Sequence, residues 1–451
     1  MSASRPSRDR PPLAERIPWI APRGVVALLG CAVVAYALAR VLAWPLAAAL
    51  AAGAFALLAA ADAVALRGPL EIRRLDVPRL SLARPAMLRY EIVNRGPAER
   101  LVALVEAPVA RLAVALDETT TVVPGRARTV VEIGIVPRER GRTTLRAYYA
   151  RIRTPLGVVE RRRAFIAPLA LRVMPDLSAL DRSGNLAVRT RTIELGLRRL
   201  RRRGAGTEFE SLREYGPDDP FRAIDWKASA RRGRTMVAQY AVERAQQIVV
   251  ALDAGRLMAA RLGDRRKIDY AVSAALAIAA IARLAADRVG AVAFASQPLG
   301  RVAPGSGAGH AARLANLLSE LEPRFEESDY ERAFLELQRT LQRRTLVVLF
   351  TDLFDPVASS SVLAAARLLT SRHLVLIVLM NDAAIAAALR AEPREPGAAY
   401  RAAVAATLAD ERARAVASLR ERGVLVVDVP AAELSVALLD AYVDVKTRGL
   451  L

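Results

Sequence analysis

The spacing of apolar and polar positions divides the chain into regimes. Residues 24–39 and 41–61 are two uncharged apolar runs parted by Arg40. A helix that spans a bilayer takes about 20 apolar residues, so the second run is long enough. The first reaches that length with Trp19 at the interface and Arg23 snorkelling outward. Too little chain separates the runs for a folded loop. The pattern predicts a transmembrane helical hairpin over residues 24–66, with its tip at 40–45, after a basic tail over residues 1–23. Asp62 is placed at headgroup level. From 75 to 175 the period changes to two. Leu88, Tyr90 and Ile92 share one strand face, with Arg89 and Glu91 on the other. Further strands are predicted over 101–106, 111–116, 129–135, 143–151 and 169–174, punctuated by Asn94-Arg95-Gly96-Pro97, Pro124-Gly125 and Arg140-Gly141. Short strands without a helical period imply an all-β, sandwich-like region.

Residues 176–243 read as a basic linker followed by a dense charged and aromatic segment. From 244 to 451 strand-like runs alternate with helical ones. Strands are predicted over 248–253, 289–295, 345–350, 374–379 and 424–429. Helices are predicted over 268–286, 311–321, 330–341, 357–370, 401–422 and 431–445. This order implies a parallel sheet covered on both faces, a Rossmann-like α/β domain. Ligands of such sheets bind beyond the carboxyl ends of the strands, where Asp253 and Asp352 fall.

Composition narrows the classes. With 451 residues and 53% hydrophobic content, the chain buries real cores. Its formal net charge is +21, carried almost wholly by arginine; only Lys227, Lys267 and Lys446 are lysines. The arginines are spread along the chain without a nucleic-acid-binding signature, so no nucleic-acid partner is expected. An acidic protein surface or anionic lipid accounts for the charge at least as well. One cysteine, Cys31, and two histidines, His310 and His373, exclude a disulfide framework within the chain and a Cys/His zinc site. A cleaved signal peptide or lipoprotein box near Cys31 is disfavoured by the second apolar run that follows. Five arginines precede the hairpin, Arg67, Arg73, Arg74 and Arg79 follow it, and the tip has only Arg40. The positive-inside rule then places both ends, and the soluble domains, on the cytoplasmic face of the inner membrane.

The segment from Gly204 interleaves charges with aromatics: Glu208, Phe209, Arg213, Tyr215, Asp219, Arg222, Asp225, Trp226 and Arg231. That mixture implies an ordered ion-pair network, since a solvated tail needs no aromatics. Glu208-Phe209, Leu212-Arg213, Tyr215, Pro217, Asp219, Arg222, Ile224-Asp225-Trp226, Ser229-Ala230-Arg231 and Glu243 resemble, without gaps, the signature of the domain of unknown function family 58. Asp218 stands where that signature usually has Gly, which alters the turn. The layout is similar as well: membrane spans, a β-rich region, the signature, then a von Willebrand factor type A-like domain. The resemblance implies a protein partner, a MoxR-type AAA+ ATPase, with a transglutaminase-like membrane protein as a further associate.

It also implies a metal-ion-dependent adhesion site, with D-x-S-x-S after the first strand, a Thr on a later loop and an Asp after the fourth strand. Here Gly255 and Leu257 replace both serines, Ser328 takes the Thr position, and Asp352 matches the final Asp. Asp253, Ser328 and Asp352 are thus a degenerate metal site. Mg²⁺ suits hard oxygens but gains few carboxylates here, and Arg256 adds a cation to the loop. Weak Mg²⁺ binding or none is expected, and no cofactor. The blander role for the two acids is to cap the strand ends. Gly305 to His310 lacks the Lys of a phosphate loop and reads as a flexible turn. No catalytic constellation is assembled. The expected function is a membrane-anchored, non-enzymatic interaction protein. The alternatives are a metal-assisted hydrolase using Asp253, Ser328 and Asp352, and nucleic-acid binding through the arginines of 198–203.

Overall fold

The structure, a computed structural model, describes residues 19–75, 79–114, 118–177, 208–217, 219, 221–241, 246–353, 356–392 and 395–451; the side chains of 19, 208–210, 222, 239–241 and 356–359 are excepted. The tail arginines Arg5, Arg8, Arg10 and Arg16, the arginine run 198–203, Asp218 and Glu243 lie outside the described residues. So do the side chains of Glu208, Phe209 and Arg222. The chain divides into two units, residues 1–174 and 175–451.

In the first unit, β1 (Trp19–Ile20) leads into α1 (Pro22–Leu38) and α2 (Trp44–Ala65). Proline in the first turn starts both helices, where its missing N–H costs nothing. The helices pack on one another and are joined by residues 39–43. Of the two, α2 is long and apolar enough to cross a bilayer, and it is mostly exposed; α1 is shorter, at 17 residues. Trp19 pairs with Glu160 in a strand, and Arg23 donates to the Pro155 carbonyl at 3.1 Å. Asp62 is buried: it accepts from the amides of Val158 and Val159, each at 2.8 Å, and from the Thr154 hydroxyl. Beside it, buried Arg100 donates to the Gly68 carbonyl at 2.8 Å and to the Ala65 carbonyl at the end of α2.

Two sheets follow and share one core. The first is ordered β1-β10-β9-β5-β7, with β3 (Leu80–Ser81) on β10 (Val159–Met174). Its other members are β5 (Arg100–Glu106), β7 (Thr119–Val123) and β9 (Gly141–Arg153). The second is β2 (Leu70–Arg74), β4 (Ala86–Asn94), β8 (Arg128–Pro137) and β6 (Leu112–Val114). Leu88, Tyr90 and Ile92 are all buried, as the period of two requires. The register of β10 shifts between Ile166 and Leu169, a bulge that accommodates Pro168.

The second unit begins with a hairpin of β11 (Glu208–Glu214) and β12 (Met236–Ala241), with α3 (Trp226–Arg232) between them. Then comes a six-stranded sheet, β17-β16-β13-β18-β19-β20. Its strands are β13 (Gln247–Asp253), β16 (Arg288–Phe294), β17 (Pro298–Gly305), β18 (Thr345–Phe350), β19 (Leu374–Asn381) and β20 (Leu425–Pro430). A two-residue ribbon, β14 (Arg261–Leu262) and β15 (Arg265–Arg266), precedes α4 (Lys267–Leu284). The remaining helices are α5 (Ala308–Glu320), α6 (Tyr330–Thr340), α7 (Pro356–Thr370), α8 (Ala383–Arg390), α9 (Pro396–Glu421) and α10 (Leu434–Arg448). Pairing is parallel except at β17. Along β13, Ile248, Val250 and Leu252 pack with α4, α5 and α10, while Val249 and Ala251 pack with α6, α7 and α9. Burial on both faces is why this strand reads as an unbroken apolar run. Gly305 ends β17 and Ala308 opens α5, so this glycine-rich stretch joins an edge strand to a helix.

Candidate functional site

The two acids stand where adjacent parallel strands release the chain: Asp253 closes β13, and Asp352 lies two residues past β18. Both are buried. Their surroundings are different, and in each case complete.

Asp253 sits among neutral donors. One carboxylate oxygen accepts from the Gly255 amide at 2.8 Å and from the Ser328 hydroxyl. The other accepts from Tyr330 Oη at 2.7 Å and Thr351 Oγ1 at 2.8 Å. Burial, and then the charge of Asp253, push the Tyr330 phenol far above its ordinary value, so it stays a donor. Gly255 is required by the same packing. A Cβ there would collide with Ser328 Oγ and lie 3.0 Å from the Glu326 carbonyl. Ser328 therefore occupies the space that a side chain at 255 would fill.

Asp352 sits among cations. Lys267, the first residue of α4, places its ammonium against one oxygen. Arg412 of α9 donates to the other at 2.7 Å, as does the Leu353 amide at 2.9 Å. Arg412 also reaches Asp428 of β20 at 2.9 Å and the Met380 carbonyl at 3.1 Å. Burial works to lower the Arg412 pKa, but the hydrogen bonds and charges of Asp428 and Asp352 outweigh it and the value is raised.

The chemistry of this donor set does not fit a divalent ion. Lys267 and Arg412 already supply the positive charge at Asp352, and a metal would have to displace a tethered ammonium. At Asp253 the three hydroxyls donate inward, and one carboxylate offers Mg²⁺ little return for its lost water. Among the described residues, no three His, Cys, Asp or Glu side chains converge on a metal-sized space. A cavity of about 50 Å³ does open above Asp253, walled by Arg256, Leu257, Glu327, Ser328, Tyr330 and Ser361. Arg256 does not turn inward as a competing cation; it pairs with Glu327 at 2.9 Å on the rim.

A second buried centre lies at the amino-terminal edge of the sheet. Asp287 accepts from Lys446 at 2.6 Å, Tyr442 at 2.6 Å and the Gln246 amide at 3.1 Å. It joins β16 to α10 and holds no open position.

The signature residues form the hairpin. Asp225 caps α3 through the Ala228 amide at 2.9 Å, and Ser229 Oγ accepts from the Met236 amide at 2.8 Å while donating to the Asp225 carbonyl at 2.7 Å. Arg213 grips Asp219 with both terminal nitrogens, one at 2.6 Å, and Asp219 also accepts from the Gly216 amide at 2.9 Å. The Arg213 and Gly216 contacts hold the Asp219 carboxyl below its ordinary value. Tyr215, Trp226 and Arg231 are exposed. Phe221 stacks edge-on against Trp226 at 5.6 Å.

Lys267, Tyr330, Thr351, Arg412 and Asp428 are the site residues that spacing alone does not reveal. The one usable signal is rarity: in a chain with three lysines, a lysine is a choice of a compact point charge over a guanidinium.

Fold and site together define a chain with one helix long and apolar enough to cross a bilayer and an α/β domain whose acidic centre is closed by its own cations. Residues 211–417 match the sequence model of the family described as "Protein of unknown function DUF58". The chain is 26% identical over 181 residues to the uncharacterized protein Mb1516 of Mycobacterium bovis and likewise to Rv1480 of Mycobacterium tuberculosis. These alignments cover 40% of this chain, which spans 56% of the length of the relatives. Among solved structures, the PapD-like domain 7 of human CEP192 aligns at TM-score 0.18 and 14% identity, covering 23% of this chain and 84% of that one. SSP-19, an MSP-domain protein like family member in Caenorhabditis elegans, aligns at TM-score 0.16 and 9% identity, over 21% of this chain and 94% of that one. At these scores neither likeness carries an argument.

Proposed function

We propose that the chain is a membrane-anchored, non-enzymatic interaction protein that works with a MoxR-type AAA+ ATPase in assembling or maturing a cell-envelope complex. The observation that carries this reading is the closed state of the acidic centre. Every carboxylate oxygen of Asp253 and Asp352 is engaged by the protein's own donors, which leaves the carboxyl end of the sheet as a fixed surface. The hydrolase alternative needs one of these carboxylates free.

Anchoring is supported by the helices. Val26, Leu29, Val33, Leu50 and Leu57 are all more than half exposed, an apolar surface that suits lipid and not water. In this reading α1 and α2 form a hairpin in the inner membrane, with a transglutaminase-like protein as a neighbour. Both termini and the soluble regions face the cytoplasm. The α/β unit is taken as von Willebrand factor type A-like with a degenerate adhesion site.

The test is a pull-down of the detergent-solubilised full chain with crosslinking and added nucleotide, probed for the organism's MoxR-type ATPase. Recovery of the ATPase is expected, and its absence defeats the reading. Calorimetric titration of the full chain with Mg²⁺ is expected to give no binding heat.

A further inference from the structure

The hairpin exposes more than its fold uses. Phe221 is 70% exposed and Trp226 62% exposed, side by side and edge-stacked. Burial of two such rings is worth several kcal/mol, and the fold forgoes it. Lys227 and Arg231 follow on α3 at the i and i+4 spacing, where like charges repel, and Arg232 stands beside them. All three are exposed, and among the described residues none has an ion-pair or hydrogen-bond partner. Arg234, by contrast, is neutralised by Glu214 at 2.6 Å.

This face is held rigidly. The Asp225 cap, the Ser229 bridge to β12 and the left-handed Gly233, with φ 64°, fix both ends of α3. The Arg213–Asp219 pair fixes the preceding turn. Preorganised exposed aromatics, with unpaired cations on the same short helix as Trp226, are the composition of a protein-binding hot spot. A lipid surface needs no such scaffold.

We infer that the Phe221–Trp226 face of the signature hairpin docks an acidic segment of a protein partner, with an apolar side chain of that segment seated between the rings. This rests on the interaction-protein reading above and names the surface it uses. Lys227, Arg231 and Arg232 supply the charge complementarity and Trp226 the anchor.

The first arm of the test addresses the surface directly. The full chain in neutral detergent is titrated into a fluorescent poly(Glu,Tyr) copolymer at low salt and followed by anisotropy. The wild type binds. Trp226→Ala and the pair Lys227→Glu/Arg231→Glu each weaken binding about tenfold, the scale of a hot-spot loss. Arg390→Glu, a reversal at another exposed site, leaves it unchanged. Absence of wild-type binding, or equal weakening by Arg390→Glu, overturns the inference. The second arm labels Phe221→Cys in a Cys31→Ser background with an environment-sensitive dye in nanodiscs. A blue shift on replacing phosphatidylcholine by phosphatidylglycerol means a lipid contact and also overturns it. The third arm repeats the ATPase pull-down with Trp226→Ala. ATPase recovered equally by wild type and variant defeats the surface. No recovery by the wild type, with copolymer binding intact, defeats the ATPase reading and leaves the surface standing.

Discussion

Two of the chain's three lysines are buried, Lys267 against Asp352 and Lys446 against Asp287. Removing one partner of a buried pair leaves an uncompensated charge and costs about 3–5 kcal/mol. Lys267→Met is therefore expected to lower the unfolding free energy of the α/β unit by an amount on that scale, read from urea unfolding curves. Gly255→Ser is a sharper case, because it restores a serine of the adhesion-site pattern. The new Cβ meets Ser328 and the Glu326 carbonyl, so the variant loses about 1–3 kcal/mol, the usual cost of overpacking, and gains no Mg²⁺-dependent rise in melting temperature. Asp253 and Asp352 were legible because each ends an apolar strand run. Their partners were not: Lys267 lies 85 residues from Asp352 and Arg412 lies 60, separations that only the folded sheet closes.

The elements were legible where one period persisted. The buried strands of the α/β unit and the alternation of β4 read directly. β17 did not, since Pro298, Gly300, Pro304 and Gly305 resemble loop punctuation; an antiparallel edge strand tolerates them. In the sandwich, β2 and β5 meet through Arg74 and Glu106 at 2.9 Å, with the guanidinium over the rings of Tyr90 and Tyr148. Burial, partly opposed by Arg74, pushes the Tyr148 phenol up to about 12. Burial and Glu106 push Tyr90 up as well. A phenol whose pKa is higher in the fold contributes stability that is complete below its unfolded value of about 10 and is lost as pH rises through the folded value. The sandwich is thus expected to weaken between pH about 10 and about 12. Absorbance of tyrosinate, followed with circular dichroism, checks this: Tyr148 ionises late or together with unfolding.

At the scale of the whole molecule, charge asymmetry around the apolar helices makes topology the testable property. Arg67 and Arg73 are exposed beyond α2, while Arg74 is paired with Glu106 inside the sandwich. In the proposed topology the arginines after α2 favour a cytoplasmic carboxyl-terminal side. Alkaline phosphatase inserted after Arg40 is expected to be active, and the same reporter after Leu451 inactive; the reverse pattern inverts the proposed orientation.

The weld at the end of α2 has a mechanical consequence. Asp62 and Arg100 both bind the last helical turn to the sandwich. A helix of 22 residues is a lever about 33 Å long. In the proposed membrane anchor, a change in its tilt imposed by bilayer thickness swings the sandwich through the same angle. Asp62→Ala would convert this rigid arm into a hinge.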